Sequence, residues 1–232
     1  MYLEEHDVQE AKRMVIDFHI RFPEKSCSSF SKSKPKAELV IETQQGSEYS
    51  IKYPVAAAKQ FNKEYPALPC ECESFFNLLR QVESKVCEST MLKMLDRRDY
   101  TQLEMQQKLR LSGFLPEVYE PIIDRAITNK YICDERYAKY FIDAKKRSGW
   151  GQKKIELELK HRGIDAYTLK DYPQEYFDND EEYERALSIL RRKHIPDTRA
   201  YEKLMRHLLS KGFNSSVASS CVKAYLQDAE EI

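Results

Sequence analysis

The sequence predicts a mainly α fold: three tandem three-helix repeats of about 50 residues forming an elongated curved array, with a small N-terminal β-hairpin plus helix region in front. Three observations lead there. Only six glycines occur among 232 residues, and stretches rich in Glu, Lys, Arg, Leu and Ala follow one another, the profile of helices joined by short turns. Gly113, Gly163 and Gly212 stand 50 and 49 positions apart in similar surroundings. Strict alternation of apolar and polar residues is confined to a short stretch between Glu38 and Tyr53.

Taken in order, residues 1–36 read as a variable segment and linker. Val8, Ala11, Met14, Val15 and Phe18 have the spacing of a short amphipathic segment, and Ser26 to Lys36 is rich in Ser and Lys, as linkers are. Residues 37–85 hold the hairpin and its supporting helices. Leu39, Ile41 and Thr43 alternate, Gln44-Gln45-Gly46-Ser47 supplies a turn, and Tyr49, Ile51 and Tyr53 alternate again. Val55 to Tyr65 reads as a helix broken by Pro66 and Pro69, and Phe75, Phe76, Leu78, Leu79, Val82 and Val86 resume a helical stripe. Two strands cannot hold a core alone, so the hairpin must lean on these helices.

The repeats occupy residues 86–131, 132–180 and 181–232. Four residues before each repeat glycine is a leucine (Leu109, Leu159, Leu208), and eight before are Met105, Ile155 and Leu204, so each glycine ends a helix with an apolar face. An apolar residue follows each glycine: Phe114, Ile164, Phe213. Another helix precedes the capped one, containing Met91 and Leu95, Tyr137 and Phe141, or Ala186 and Leu190. A third follows it: Val118, Ile122, Ile123 and Ala126; Leu169, Tyr172 and Tyr176; Val217, Cys221, Val222 and Tyr225. Thr101 with Glu104 makes a capping box, Asp134, Asp165 and Asn214 are candidate N-caps, and Pro116 suits a first turn. Pro121 and Pro173 fall inside third helices and are expected to kink or shorten them.

Charge narrows the function classes. The charged fraction is 33%, with 38 basic and 38 acidic residues, so the chain has no net pull toward nucleic acid or an anionic membrane. The balance is local. Nine basic residues (Arg136, Lys139, Lys145, Lys146, Arg147, Lys153, Lys154, Lys160, Arg162) face three acidic ones (Asp143, Glu156, Glu158), and seven acidic residues with no basic one follow from Asp171 to Glu184. Lys145, Lys146 and Arg147 end one helix and Lys153 and Lys154 begin the next, around Gly149-Trp150-Gly151. That corner suits a phosphate grip with a stacking ring, or else a tryptophan plug beneath a solvated face.

Catalysis is not expected. No P-loop, HExxH or GxSxG occurs, and the histidines at 6, 19, 161, 194 and 207 lack spaced partners. The six cysteines show no CxxC pair, and Cys70 and Cys72 lack histidine neighbours, so neither a metal, a cofactor nor a disulfide framework is indicated. Acidic residues at 4, 5 and 7 and the lack of a long apolar run argue against a signal peptide or membrane span, and a cytoplasmic location is expected.

The run Cys133-Asp134-Glu135-Arg136-Tyr137-Ala138-Lys139-Tyr140-Phe141, then Arg147-Ser148-Gly149-Trp150-Gly151, then Lys154-Ile155-Glu156-Leu157-Glu158-Leu159-Lys160-His161-Arg162-Gly163-Ile164 resembles the RecX regulatory protein family. That family typically carries a D-[DE]-R-Y-A-x-x-[FY] helix, an R-x-x-G-[YW]-G turn and a following helix ending in a basic residue and glycine. Arg97-Arg98-Asp99-Tyr100-Thr101 and Lys108 to Phe114 resemble its first repeat, and the likeness covers roughly residues 86 to 227. Gln152, where proline is common, and Cys133, where an acidic or small residue is frequent, depart from the pattern. The resemblance implies a monomeric modulator that lies along a RecA recombinase filament and restrains strand exchange and the coprotease activity of the SOS response, touching DNA weakly or through the filament. Arg97, Arg98 and Lys108 in the first repeat and Lys146, Arg147, Trp150, Lys153, Lys154 and Arg162 in the second are the expected contacts. A stand-alone helical DNA-binding protein is the alternative.

Overall fold

The computed structural model describes residues 14–24, 34–64 and 66–230, and the chain divides into two compact units, Met1–Ile132 and Cys133–Ile232. In the first, the alternating residues form a hairpin of β2 (Lys36–Thr43) and β3 (Glu48–Pro54). The sheet is wider than a hairpin: β1 (Met14–Arg21) pairs antiparallel with β2, and the two-residue β4 (Cys70–Glu71) closes its other side, giving the order β3-β2-β1-β4. Part of the segment read as short and amphipathic is therefore a central strand. A bulge explains the difference. Val15 faces Thr43 while Asp17 faces Glu42, so Ile16 is an extra residue and Val15 and Phe18 both point inward although three positions apart. That spacing imitates a helix. Val8, Ala11 and most of the Ser/Lys-rich stretch lie outside the described residues.

The sheet needs a cover, and α1 (Val55–Phe61) with the first half of α2 (Cys72–Leu95) provides it. Phe18, Phe61 and Phe75 pack ring against ring with centroids 5.3 to 5.4 Å apart, and the buried Tyr53 hydroxyl donates to the Leu79 carbonyl at 2.6 Å. The break expected between residues 85 and 86 falls inside α2, which is continuous. Its N-terminal half gives Phe75, Leu79 and Val82 to the sheet core, and its C-terminal half gives Cys87 and Met91 to the core of the first repeat.

That repeat continues with α3 (Gln102–Leu111) and α4 (Pro116–Thr128). Thr101 Oγ1 accepts from the Glu104 N–H at 3.1 Å, as the capping box requires, and Pro116 occupies the first turn of α4. Pro121 does not shorten α4. The ring is exposed and only the Glu117 carbonyl, one turn back, loses its donor, so the helix runs through to Thr128.

The second unit holds the remaining repeats: α5 (Asp134–Arg147), α6 (Gln152–His161), one turn of 3₁₀ helix (Ala166–Thr168), α7 (Asn179–Leu190), α8 (Ala200–Lys211) and α9 (Ser215–Glu230). Cys133, not Asp134, stands at the cap of α5, so Asp134 acts as a first-turn carboxylate. The third helix expected over Leu169, Tyr172 and Tyr176 does not form. Asp165 caps the 3₁₀ turn through the Tyr167 N–H at 3.0 Å, and turns follow. Pro173 cannot donate and pushes Tyr172 away from helical backbone, so a longer helix has no continuation here. Leu169 and Tyr172 still pack on the core of Ala138, Ile142, Ile155 and Leu159.

Candidate functional site

All three repeat glycines have positive φ, and in each repeat the N–H of the next residue reaches the carbonyl five positions back: Phe114 to Leu109, Ile164 to Leu159, Phe213 to Leu208. The same turn recurs at the end of α5, where Gly149 has φ +76° and the Trp150 N–H donates to the Lys145 carbonyl at 3.0 Å. This turn swings Trp150 back beside the basic end of α5.

The result is a cation clamp. The Lys145 ammonium lies 4.6 Å and the Lys154 ammonium 4.4 Å from the Trp150 ring centre, while the half-buried ring packs against the repeat core. Trp150 is thus both a packing residue and the centre of the basic corner. Lys145 also lies 5.3 Å from the Phe141 ring, whose other cation is the Arg162 guanidinium at 4.8 Å, and Tyr137 stacks on Phe141. Aromatic and cationic groups alternate from Tyr137 to Lys154.

The expected contact residues do not share one fate. Arg147 and Lys153 are exposed. Lys146 is occupied: its ammonium donates to the Tyr176 carbonyl and to Glu181 Oε2, both at 2.9 Å, tying α5 to the acidic stretch. Arg162 is part-buried, donating to the Tyr137 hydroxyl at 3.1 Å and to the Glu158 carboxylate. The Arg162 hydrogen bond holds the Glu158 carboxyl below its usual range. In the first unit, Arg97 and Lys108 are exposed, whereas Arg98 braces α3 through Glu104 at 2.9 Å and covers the Tyr100 ring at 3.6 Å.

Lys211, Glu182 and Arg185, to which the sequence assigned no role, help to hold the corner. The amide of Gly151 donates to the Lys211 carbonyl at 2.9 Å and that of Lys153 to the Gly212 carbonyl at 3.0 Å, so the end of α8 caps the start of α6. A side chain on Gly151 would overlap the Gly212 carbonyl, and one on Gly212 the backbone of Lys154. The Gln152 amide between them donates to Glu182 at 3.0 Å. Glu182 is 1% exposed and is also held by Arg185 at 3.2 Å; burial raises its pKa against these partners. Arg185 in turn donates to the Trp150 carbonyl at 3.1 Å. Only the Gly-Trp-Gly sequence hinted at such a close approach.

A family model described as RecX, second three-helix domain, matches residues 134–171, the stretch that contains the clamp. The regulatory protein RecX of Caldanaerobacter subterraneus subsp. tengcongensis is 27% identical over 163 residues, spanning 63% of this chain and 82% of that protein. That of Actinobacillus pleuropneumoniae serotype 5b is 29% identical over 145 residues, spanning 60% of this chain and 93% of the relative. The chain is similar to RecX regulatory proteins through its helical repeats. Two solved RecX structures share the fold: RecX from Lactobacillus salivarius, with a TM-score of 0.54 and 23% identity over 61% of this chain and 96% of that one, and another regulatory protein RecX, with a TM-score of 0.55 and 19% identity over 88% and 96%. In this chain the matched domain has two helices and a 3₁₀ turn in place of its third helix. Among the described residues no helix is long and apolar enough to cross a membrane.

Proposed function

We propose that this chain is a RecX family member that acts as a monomer in the cytoplasm, without catalysing a reaction, by binding a RecA filament and restraining its ATPase, strand-exchange and coprotease activities. The observation that carries the reading is the Trp150 ring with the Lys145 and Lys154 ammoniums 4.6 and 4.4 Å from its centre, inside the family-matched segment. With Arg147 and Lys153 exposed beside it, the corner offers cations and an aromatic face to the nucleoprotein, either to DNA phosphates and bases or to acidic RecA surface. Arg97 and Lys108 offer exposed charge in the first repeat.

Lys146 and Arg162 support this surface from beneath: their charges are spent on Glu181 and Glu158. Arg98 is spent on Glu104 in the same way. The test is a fourfold charge reversal at Lys145, Arg147, Lys153 and Lys154 that leaves Lys146 in place. The expected outcome is unchanged helicity by circular dichroism and inhibition of the RecA ATPase weakened by about 100-fold or more. Full inhibition by the folded variant would place the contact surface elsewhere.

A further inference from the structure

The turn that carries Trp150 lies in the second repeat, yet most of the groups that fix its backbone come from the third. A Cβ at Gly149 would lie 3.2 Å from the Ile189 side chain of α7. From Trp150 to Lys153, four consecutive residues each place one backbone group on a partner far away in sequence. The Trp150 carbonyl accepts from Arg185 at 3.1 Å, and the amides of Gly151, Gln152 and Lys153 donate to Lys211, Glu182 and Gly212 in turn. The Trp150 amide, in contrast, stays with α5 through the Lys145 carbonyl at 3.0 Å. A residue held at both its amide and its carbonyl has little freedom left in φ and ψ, and the direction of its Cα–Cβ bond follows.

Among these partners Arg185 grips the carbonyl of Trp150 itself. Its guanidinium reaches two acceptors at once, that carbonyl and the Glu182 carboxylate at 3.2 Å, and lies 5.9 Å from the Phe213 ring. A planar fork of this kind fixes direction as well as distance, whereas a lysine ammonium would be a point charge. The arrangement is not the most stable one available. The Arg185 side chain is only 20% exposed, burial lowers its pKa against the pull of Glu182 and Glu181, and its buried Nε has no hydrogen-bond partner among the described residues. An uncharged pair at positions 182 and 185 would avoid both costs. What the charged pair adds is a fixed direction for the Trp150 carbonyl.

We infer that Arg185 is a positioning residue of the Trp150 clamp: seated by Glu182, its guanidinium holds the Trp150 carbonyl, and through it α7 sets the direction in which the ring meets Lys145 and Lys154. On the reading proposed above, that direction governs contact with the RecA nucleoprotein; the positioning itself is measurable without RecA.

Trp150 is the only tryptophan in the chain, so its fluorescence reports this residue alone. The whole chain is compared with Arg185→Lys, which keeps the charge beside Glu182 but not the fork, and with Glu181→Gln, which breaks the Lys146 ion pair between α5 and α7 without touching Trp150. With folding checked by circular dichroism, quenching of Trp150 by acrylamide should rise in Arg185→Lys, up to about twofold as the half-buried ring becomes accessible, and keep the parental value in Glu181→Gln. The double variant Glu182→Gln, Arg185→Gln leaves no buried charge unpaired, should show the same rise, and serves as the test where the lysine variant does not fold. Parental quenching in a folded variant lacking Arg185, or an equal rise in Glu181→Gln, would overturn the positioning role. Inhibition of the RecA ATPase should weaken by about 10-fold in Arg185→Lys. Quenching that rises while inhibition stays complete would uphold the positioning role and count against the clamp as the RecA contact.

Discussion

At the residue scale, glycine serves two different purposes. Gly113 and Gly212 both end helices at positive φ, but a methyl at Gly113 would make only ordinary contacts with Lys36 and Pro54, whereas at Gly212 it would strike the Lys154 backbone. Gly113→Ala should therefore cost about 1 kcal/mol, the backbone penalty alone. Gly212→Ala should cost roughly 2–4 kcal/mol, because the overlap has no flexible side chain to yield. Urea denaturation of the two variants measures the contrast, and equal losses would refute the close approach. The Glu158 and Arg162 pair gives a pH dependence of known sign. Glu158 has its pKa lowered from 4.5 chiefly by its hydrogen bond to Arg162, so its stabilising contribution is present above pH 4.5 and is lost as pH falls through the lowered value. Glu158→Gln should remove that part of the acid slope; a variant whose stability fell with acid as steeply as the parent's would contradict it.

At the element scale, α6 is anchored by groups far away in sequence. Its first amides end on the Lys211 and Gly212 carbonyls and on the Glu182 carboxylate, which joins the second and third repeats within one unit. Glu182→Ala would leave the Gln152 amide without its acceptor and Arg185 without its carboxylate. A loss of about 3 kcal/mol is expected; a change under about 0.5 kcal/mol in urea denaturation would show that the carboxylate does not carry the joint. None of this is legible from local sequence. Glu182 reads as one more acid in a run of seven, and only its burial separates it from Asp180 and Glu184. What the sequence does reveal is local: the repeat glycines, the Thr101 capping box and the hairpin around Gly46 depend on neighbours within a few residues. The strand Met14–Arg21 was hidden by its bulge, β4 by being two residues long, and the missing third helix by apolar residues that keep helical spacing while packing from turns.

For the whole molecule, zero net charge conceals segregated charge, and part of that charge is neutralised internally. Lys146, Arg162 and Arg185 answer Glu181, Glu158 and Glu182, leaving Lys145, Arg147, Lys153 and Lys154 around Trp150 as the cations offered outward. Few cations on a neutral molecule predict weak binding to naked DNA. Anisotropy of labelled oligothymidylate at about 0.15 M salt should show little binding at the protein concentrations where the proposed effect on RecA is expected. Tight, steeply salt-dependent binding would favour an autonomous DNA-binding protein. The tertiary roles of Lys146 and Arg162 are also why the site was only partly legible: composition counts charges, while the fold decides which are spent.

The proposed regulation of a RecA filament is tested by titrating this protein into RecA on single-stranded DNA, with ATP hydrolysis as the readout. Hydrolysis should slow at less than one molecule of this protein per RecA subunit. An unchanged rate through a full titration to excess would contradict it.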